Sequence, residues 1–256
     1  TVMLSGDGGD ELFWGYNRMH DFTQSYPFFK DSLNLRRLKK KLVVFKKPES
    51  GAIYEFSDAQ EMIENAHSHI SLGDIKPLFN FAPKTKETES VYTFSGDSQI
   101  EFRNWIRYNE FYAHMQRVLI KVDRMSMANS LEVRVPILDQ RIVDFAWNLD
   151  SDFGLKKSKV LKGFLKRALR QHIPLAMMNQ DKKGFYVPIG KWMKNELKEE
   201  VETLLLHTPI YGSEFVNKEL WIKFAEDFFK KPESGKEWAI WIMYSWQKWK
   251  QQFDLI

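Results

Sequence analysis

Thr1-Val2-Met3-Leu4-Ser5-Gly6-Asp7-Gly8-Gly9-Asp10-Glu11 opens the chain, and its reading decides the fold. Val2-Met3-Leu4 has the character of a short buried strand. The three glycines after it free the backbone for positive φ and for close approach to a ligand. A strand that runs through such a turn into a helix commonly receives phosphate groups on its backbone N–H donors. Asp7, Asp10 and Glu11 would repel a bare phosphate. They make sense where a hard cation lies between, because Mg²⁺ binds through one or two carboxylates together with phosphate oxygens. A calcium loop is excluded, since no Glu closes a twelve-residue loop in register. A capped helix start, with Asp10 and Glu11 favourable to the helix dipole, stands as the plain alternative.

One strand needs neighbours for its backbone groups. The expectation is therefore that the numbering begins inside a larger protein, with the sheet partners upstream of Thr1. Beyond this strand the pattern is helical. Tyr54–Ala66 begins one helix. Ile100–Leu119 is the clearest, with Ile100, Trp105, Ile106, Tyr112, Met115 and Leu119 recurring near a 3.6 period. Asp123–Leu131 continues or restarts it, and Asp139 caps a helix running through Trp147. Lys157–His172 alternates apolar and basic residues before Pro174. Gly190–His207 and Asn217–Lys231 read as amphipathic helices. Glu237–Phe253 ends the chain, and its Trp238, Trp241, Trp246 and Trp249 read as core packing and helix docking. The fold class expected is mainly α, with one residual strand and no break marking a second domain.

Composition narrows the function. The absence of Cys excludes disulfides, thiolate nucleophiles and cysteine zinc sites, and an intracellular protein fits it. Nine Trp and twenty Phe supply an aromatic core. Lys and Arg number 38 against 34 Asp and Glu, too even a balance for a nucleic-acid binder. The basic stretch Arg36–Lys47 is the best nucleic-acid candidate in the chain, but reads more readily as a solvated helix face and a lysine-rich loop. No apolar run approaches the ~20 residues of a membrane span, and no signal peptide opens the chain. Lys-Lys-Pro-Glu-Ser-Gly occurs from Lys46 and from Lys230 without any repeat around it, so both copies are loop chemistry. Residues 82–97 read as a polar loop.

Two further segments carry chemistry. In Lys121–Asp139, Asp123, Arg124, Glu132 and Arg134 alternate with apolar and small residues, which suggests a semi-buried ion-pair network that positions a site or only fixes a chain path. In Asp181–Pro188, Lys182 and Lys183 precede Gly184, and can point toward developing negative charge or form an exposed loop.

The run Val2–Tyr16, VMLSGDGGDELFWGY, resembles the synthase-domain motif of glutamine-dependent asparagine synthetases. Asp123–Asp139 resembles the second signature of that family, and Lys182–Pro188 the third, in the same order and spacing. The Trp-rich ending also fits. The resemblance spans essentially all of residues 1–256 and implies the C-terminal helical part of an adenine-nucleotide α-hydrolase-like α/β synthase domain.

The resemblance also implies a mechanism and a location. An aspartate side-chain carboxylate attacks the α-phosphate of ATP, and pyrophosphate leaves with Mg²⁺. Ammonia, delivered from glutamine by an upstream glutaminase domain, then displaces AMP. It implies ATP contacts at Ser5, Gly6, Gly8 and Gly9. Asp7 takes the place of the acidic residue needed for intermediate formation, where many members have Glu. Asp10 is implied to hold Mg²⁺-pyrophosphate, and Lys182 to stabilise the pentavalent phosphate. Glu11, Asp123, Arg124, Glu132, Arg134 and Lys183 support the site. Trp14 sits where Gly is common. A cytoplasmic enzyme is implied, and an apolar face left beside the strand would favour self-association, a homodimer included.

The family's Ser-Gly-Gly-x-Asp-Ser loop and N-terminal Cys do not occur in this sequence. Both are expected upstream, so residues 1–256 alone are expected to be inactive. Two alternatives remain at this point. One is a related amidotransferase acting on another carboxylate in surface-polysaccharide or secondary metabolism. The other is a helical interaction module with a basic face.

Overall fold

The structure, a computed structural model, describes residues 1–31, 58–68, 75–80, 91–151, 161–178, 187–231 and 235–253, with positions 35, 56 and 70. These residues are mostly helical around a small parallel sheet. Strand β1 (Val2–Leu4) pairs with β2 (Glu132–Arg134) in the register Val2–Glu132, Met3–Val133 and Leu4–Arg134. The expectation of one strand only is thus corrected. The partner comes from within the chain, and β1 is exposed at all three residues, from 50% at Val2 to 69% at Leu4. Glu132-Val133-Arg134 becomes a strand because the preceding helix closes at Ser130, whose φ of +55° turns the chain, and Pro136 stops further pairing.

The chain gathers into two compact units, where the sequence pattern marks no boundary. One comprises Thr1–His67 and Thr85–Asp181, the other Ser68–Lys84 and Lys182–Ile256. In the first, β1 leads to α1 (Gly9–Leu12), α2 (Asn17–Thr23), α3 (Tyr26–Lys30) and α4 (Ala59–His67). Then come α5 (Gln99–Asn109), a π-helical turn (Glu110–His114) and α6 (Met115–Met127), followed by β2. A 3₁₀ turn (Pro136–Leu138), α7 (Gln140–Asn148), α8 (Gly163–Leu169) and α9 (Leu175–Met178) complete the described part of this unit.

Ser98 starts α5 with a capping box. Its Oγ accepts the Glu101 N–H, and Glu101 Oε2 accepts the Ser98 N–H. Phe102, Trp105 and Ile106 then recur on one face and are buried with Trp14, Met19, Met62 and Ile63. Ile100 and Tyr112, grouped with that stripe by periodicity, are exposed instead. For Tyr112 the reason is the π turn, which shifts the inward face between α5 and α6. Asp139 caps α7 as expected, its carboxylate accepting the Arg141 N–H.

The second unit holds a 3₁₀ turn (Lys76–Leu78), α10 (Ile189–Lys194), α11 (Lys198–Glu202), a π turn (Thr203–His207), α12 (Lys218–Lys230) and α13 (Glu237–Phe253). The single helix expected over 190–207 is broken at Asn195. Its core joins Met193, Val201, Leu205, Trp221, Phe228, Ile240 and Met243. Trp238, Trp246 and Trp249 do not join it: they lie 40–50% exposed on the outer face of α13, with Trp246 and Trp249 stacked at 5.5 Å. The core reading of those indoles is corrected on that ground. Ala239, Ile240, Met243 and Tyr244 already fill the inward stripe. The basic stretch Arg36–Lys47 lies outside the described residues, as does most of the loop 82–97. No helix of the described residues is long and apolar enough to cross a membrane.

Candidate functional site

The last rung of the sheet is the Ser5 N–H donated to Arg134 O at 2.9 Å. There the chain leaves β1 and folds into the acidic glycine turn. Ser5 Oγ donates to Asp7 Oδ2 at 2.5 Å, which fixes the first carboxylate against the start of the turn. Among the described residues nothing lies within 4 Å of where a Gly6 side chain would begin, so they leave this edge of the turn open. Gly8 is required twice over. Its φ is +89°, and an added Cβ would come within 2.5 Å of Leu138 Cδ2. Gly9 would meet only Leu165 at an ordinary 3.6 Å, so packing does not demand glycine there.

Asp10 and Glu11 follow on α1 and face different surroundings. Asp10 is partly exposed, and its Oδ2 pairs with Lys162 Nζ at 3.0 Å. The Gly15 N–H donates to Asp10 O at 2.8 Å, and a Cβ on Gly15 would fall 1.9 Å from Asp10 Oδ1. Gly15 therefore gives the Asp10 carboxylate its room. Glu11 is buried and accepts the Tyr16 hydroxyl at 2.6 Å. Burial raises the Glu11 carboxyl above the usual range, with the Tyr16 hydrogen bond working against that rise. Burial and the Glu11 carboxylate push the Tyr16 phenol upward, so it remains a donor.

Sequence reasoning missed Lys162 and gave Gly15 no role. Lys162 lies inside a run of alternating apolar and basic residues, where it reads as one more solvated cation. The signal was the Lys162-Gly163 pair at a helix start: Lys162 takes φ +56° at the N-cap of α8. Trp14, at φ +59° and 2% exposed, shows why that position suits Gly.

The second predicted segment is not a semi-buried network. Glu132 and Arg134 pair at 2.7 Å in solvent, on one short strand. Asp123 and Arg124 are exposed on α6, and neither has an ion-pair partner among the described residues. The two-stranded sheet and the outer face of α6 are too thinly covered to bury them. Lys182 and Lys183 lie outside the described residues. Among the described residues no three His, Cys, Asp or Glu side chains converge as a metal cluster. Asp7 and Asp10 are hard oxygen donors, suited to a cation that takes its other ligands from phosphate and water.

A sequence profile of the asparagine synthase family matches residues 1–251. The glutamine-hydrolysing asparagine synthetase 1 of Bacillus subtilis is 26% identical over 96% of this chain and 40% of its own length. A Mycobacterium bovis protein, provisionally named a glutamine-hydrolysing asparagine synthetase, is 31% identical over 75% of this chain and 30% of its own. The amidase chyE of Penicillium rubens is 24% identical over 84% of this chain and 36% of its own. The chain thus spans two fifths or less of the length of these curated relatives. No solved structure matches it.

Proposed function

The chain belongs to the asparagine synthase family, and from that premise we propose that it carries half of an ATP-dependent amide-forming site within an adenine-nucleotide α-hydrolase-like domain. The observation that carries the reading is the acidic glycine turn. Gly8 folds it back, Ser5 holds Asp7, and Lys162 with Gly15 fixes Asp10 beside an open edge.

In this reading an aspartate carboxylate oxygen attacks the α-phosphorus of ATP as the bond to pyrophosphate breaks. Ammonia then attacks the acyl carbon of the aspartyl adenylate, the bond to AMP breaks, and asparagine forms. A carboxylate resists ammonia until it carries such a leaving group. Ser5 contacts the triphosphate through its hydroxyl, and Gly6, Gly8 and Gly9 through the closely approaching backbone of the turn. Asp10 would hold Mg²⁺, which when bound neutralises charge on the departing pyrophosphate. Lys162, beside Asp10, faces the negative charge that grows on phosphate oxygens; the family resemblance assigns Lys182, with Lys183 in support, to stabilising that charge. Asp7 assists formation of the adenylate and, in this reading, takes a proton from the attacking ammonia. The ammonia derives from glutamine through a glutaminase domain, and a separate Ser-Gly-Gly-x-Asp-Ser loop completes the pyrophosphate cradle in a cytoplasmic protein.

A relative named as an amidase favours a second reading, in which the same activation acts on another carboxylate. Product analysis separates the two. Residues 1–256 joined to a Ser-Gly-Gly-x-Asp-Ser loop segment, supplied with ATP, Mg²⁺, ammonia and a panel of carboxylates, are expected to release AMP and pyrophosphate only when aspartate is present. Release driven by a different carboxylate moves the assignment to that acceptor. ADP and orthophosphate as the products would defeat both readings.

A further inference from the structure

We propose that Tyr16, Arg18 and Glu110 are positioning residues that fix the acidic glycine turn through one buried chain of contacts. Helix α1 has four residues, too few to define its own orientation. What holds it is Glu11, the one buried carboxylate of the turn, bound to Tyr16 Oη at 2.6 Å. The Tyr16 ring lies under the Arg18 guanidinium at 4.2 Å and meets His114 edge-on at 5.5 Å. Arg18 donates Nε and Nη2 to the two oxygens of Glu110, at 2.7 and 2.6 Å. Glu110 is fully buried, and its Oε1 also lies 3.3 Å from His67 Nε2. The ring of His67 continues to Tyr92 Oη at 3.2 Å.

The chain therefore runs from α1 through the start of α2 into the π turn, and on to the end of α4. The π turn is what makes it close, since it presents both Glu110 and His114 toward residues 16 and 18. Local π-helix of this kind is frequent at functional sites. Stability is a weak reason to bury Arg18–Glu110, because apolar residues of similar volume commonly serve as well or better. Bidentate geometry and shared partners instead specify direction. Glu11 faces inward to this chain, so the adjacent Asp10 is turned outward to Lys162 and the open edge. The geometric claim concerns Asp10 alone; its use for holding Mg²⁺ rests on the function proposed above.

The test reads Asp10 directly. In the protein with ¹³C-carboxyl aspartate, the Asp10 resonance is followed at pH 7, then during titration with Mn²⁺-pyrophosphate. Tyr16→Phe removes only the hydroxyl. The double variant Arg18→Met with Glu110→Gln removes the ion pair without leaving a lone buried charge. Met62→Ala, in the core against which Tyr16 packs, serves as a variant that loses stability while leaving every polar contact of the chain in place. Both chain variants are expected to displace the Asp10 resonance and to raise the Kd for Mn²⁺-pyrophosphate about tenfold, as loss of a supporting shell commonly does. Met62→Ala is expected to move neither. An Asp10 resonance unchanged in both chain variants overturns the proposal. If the native chain joined to a Ser-Gly-Gly-x-Asp-Ser loop segment shows no Mn²⁺-pyrophosphate binding, the metal role of Asp10 fails, and the unbound resonance still decides the positioning claim by itself.

Discussion

Trp14 has a side chain the core wants and a backbone conformation it does not. The indole is buried among Met19, Met62 and Phe102, while φ is +59°. Truncation to Ala should cost roughly 3–5 kcal/mol for the lost burial and cavity. It leaves the left-handed strain in place, so Trp14→Gly should be more stable than Trp14→Ala by about 1 kcal/mol. Urea unfolding of the two variants measures this, and the opposite order would show that the strain is not there. The acidic glycine turn was legible in the sequence because glycine and carboxylate chemistry is local. Lys162 and Gly15 were not. Their importance comes from where Asp10 lies in space, and within Lys157–His172 only the glycine that follows Lys162 sets it apart from its neighbours.

The π turn is the element on which the buried charges depend. Burial alone would raise the Glu110 carboxyl, but the Arg18 guanidinium and His67 overcome it and hold it at about 2. A carboxylate depressed in the folded state contributes stability above its unfolded value, and that contribution is lost as pH falls through the folded one. Glu110→Gln should therefore cost roughly 3–5 kcal/mol at pH 7, where it strands Arg18. The difference from native should shrink as pH falls from 4.5 toward 2. A difference that stays constant over this window would mean that Glu110 is not ion-paired in the folded protein. Periodicity found the helices on either side, α5 and α6, but could not find the turn between them. One residue of slip in a long amphipathic run leaves the apolar count almost unchanged while rotating everything after it. Strand β2 was missed for a related reason, since three residues of alternating charge read equally well as a helix end.

At the scale of the molecule, the described residues form two units, each with its own aromatic core, and leave β1 and the outer face of α13 uncovered. Trp221 and Trp249 are the same residue type in one unit and in opposite surroundings, at 3% and 50% exposed. Trp221→Ala should cost roughly 3–5 kcal/mol, whereas Trp249→Ala should stay within about 1 kcal/mol of native. Equal losses would place Trp249 in a core. The order of the three motifs along the chain carried the family reading, because no single motif has that specificity. In the function proposed above, Asp10 serves the exchange of pyrophosphate at a carboxylate-dependent adenylation step. The most direct measurement is the passage of labelled pyrophosphate into ATP, with aspartate and Mg²⁺, by residues 1–256 joined to a Ser-Gly-Gly-x-Asp-Ser loop segment. The expected result is aspartate-dependent exchange that falls at least about a hundredfold in Asp10→Asn with its melting temperature unchanged, and no exchange from residues 1–256 alone. Exchange at the native rate in Asp10→Asn, or from residues 1–256 without the loop, would contradict the account.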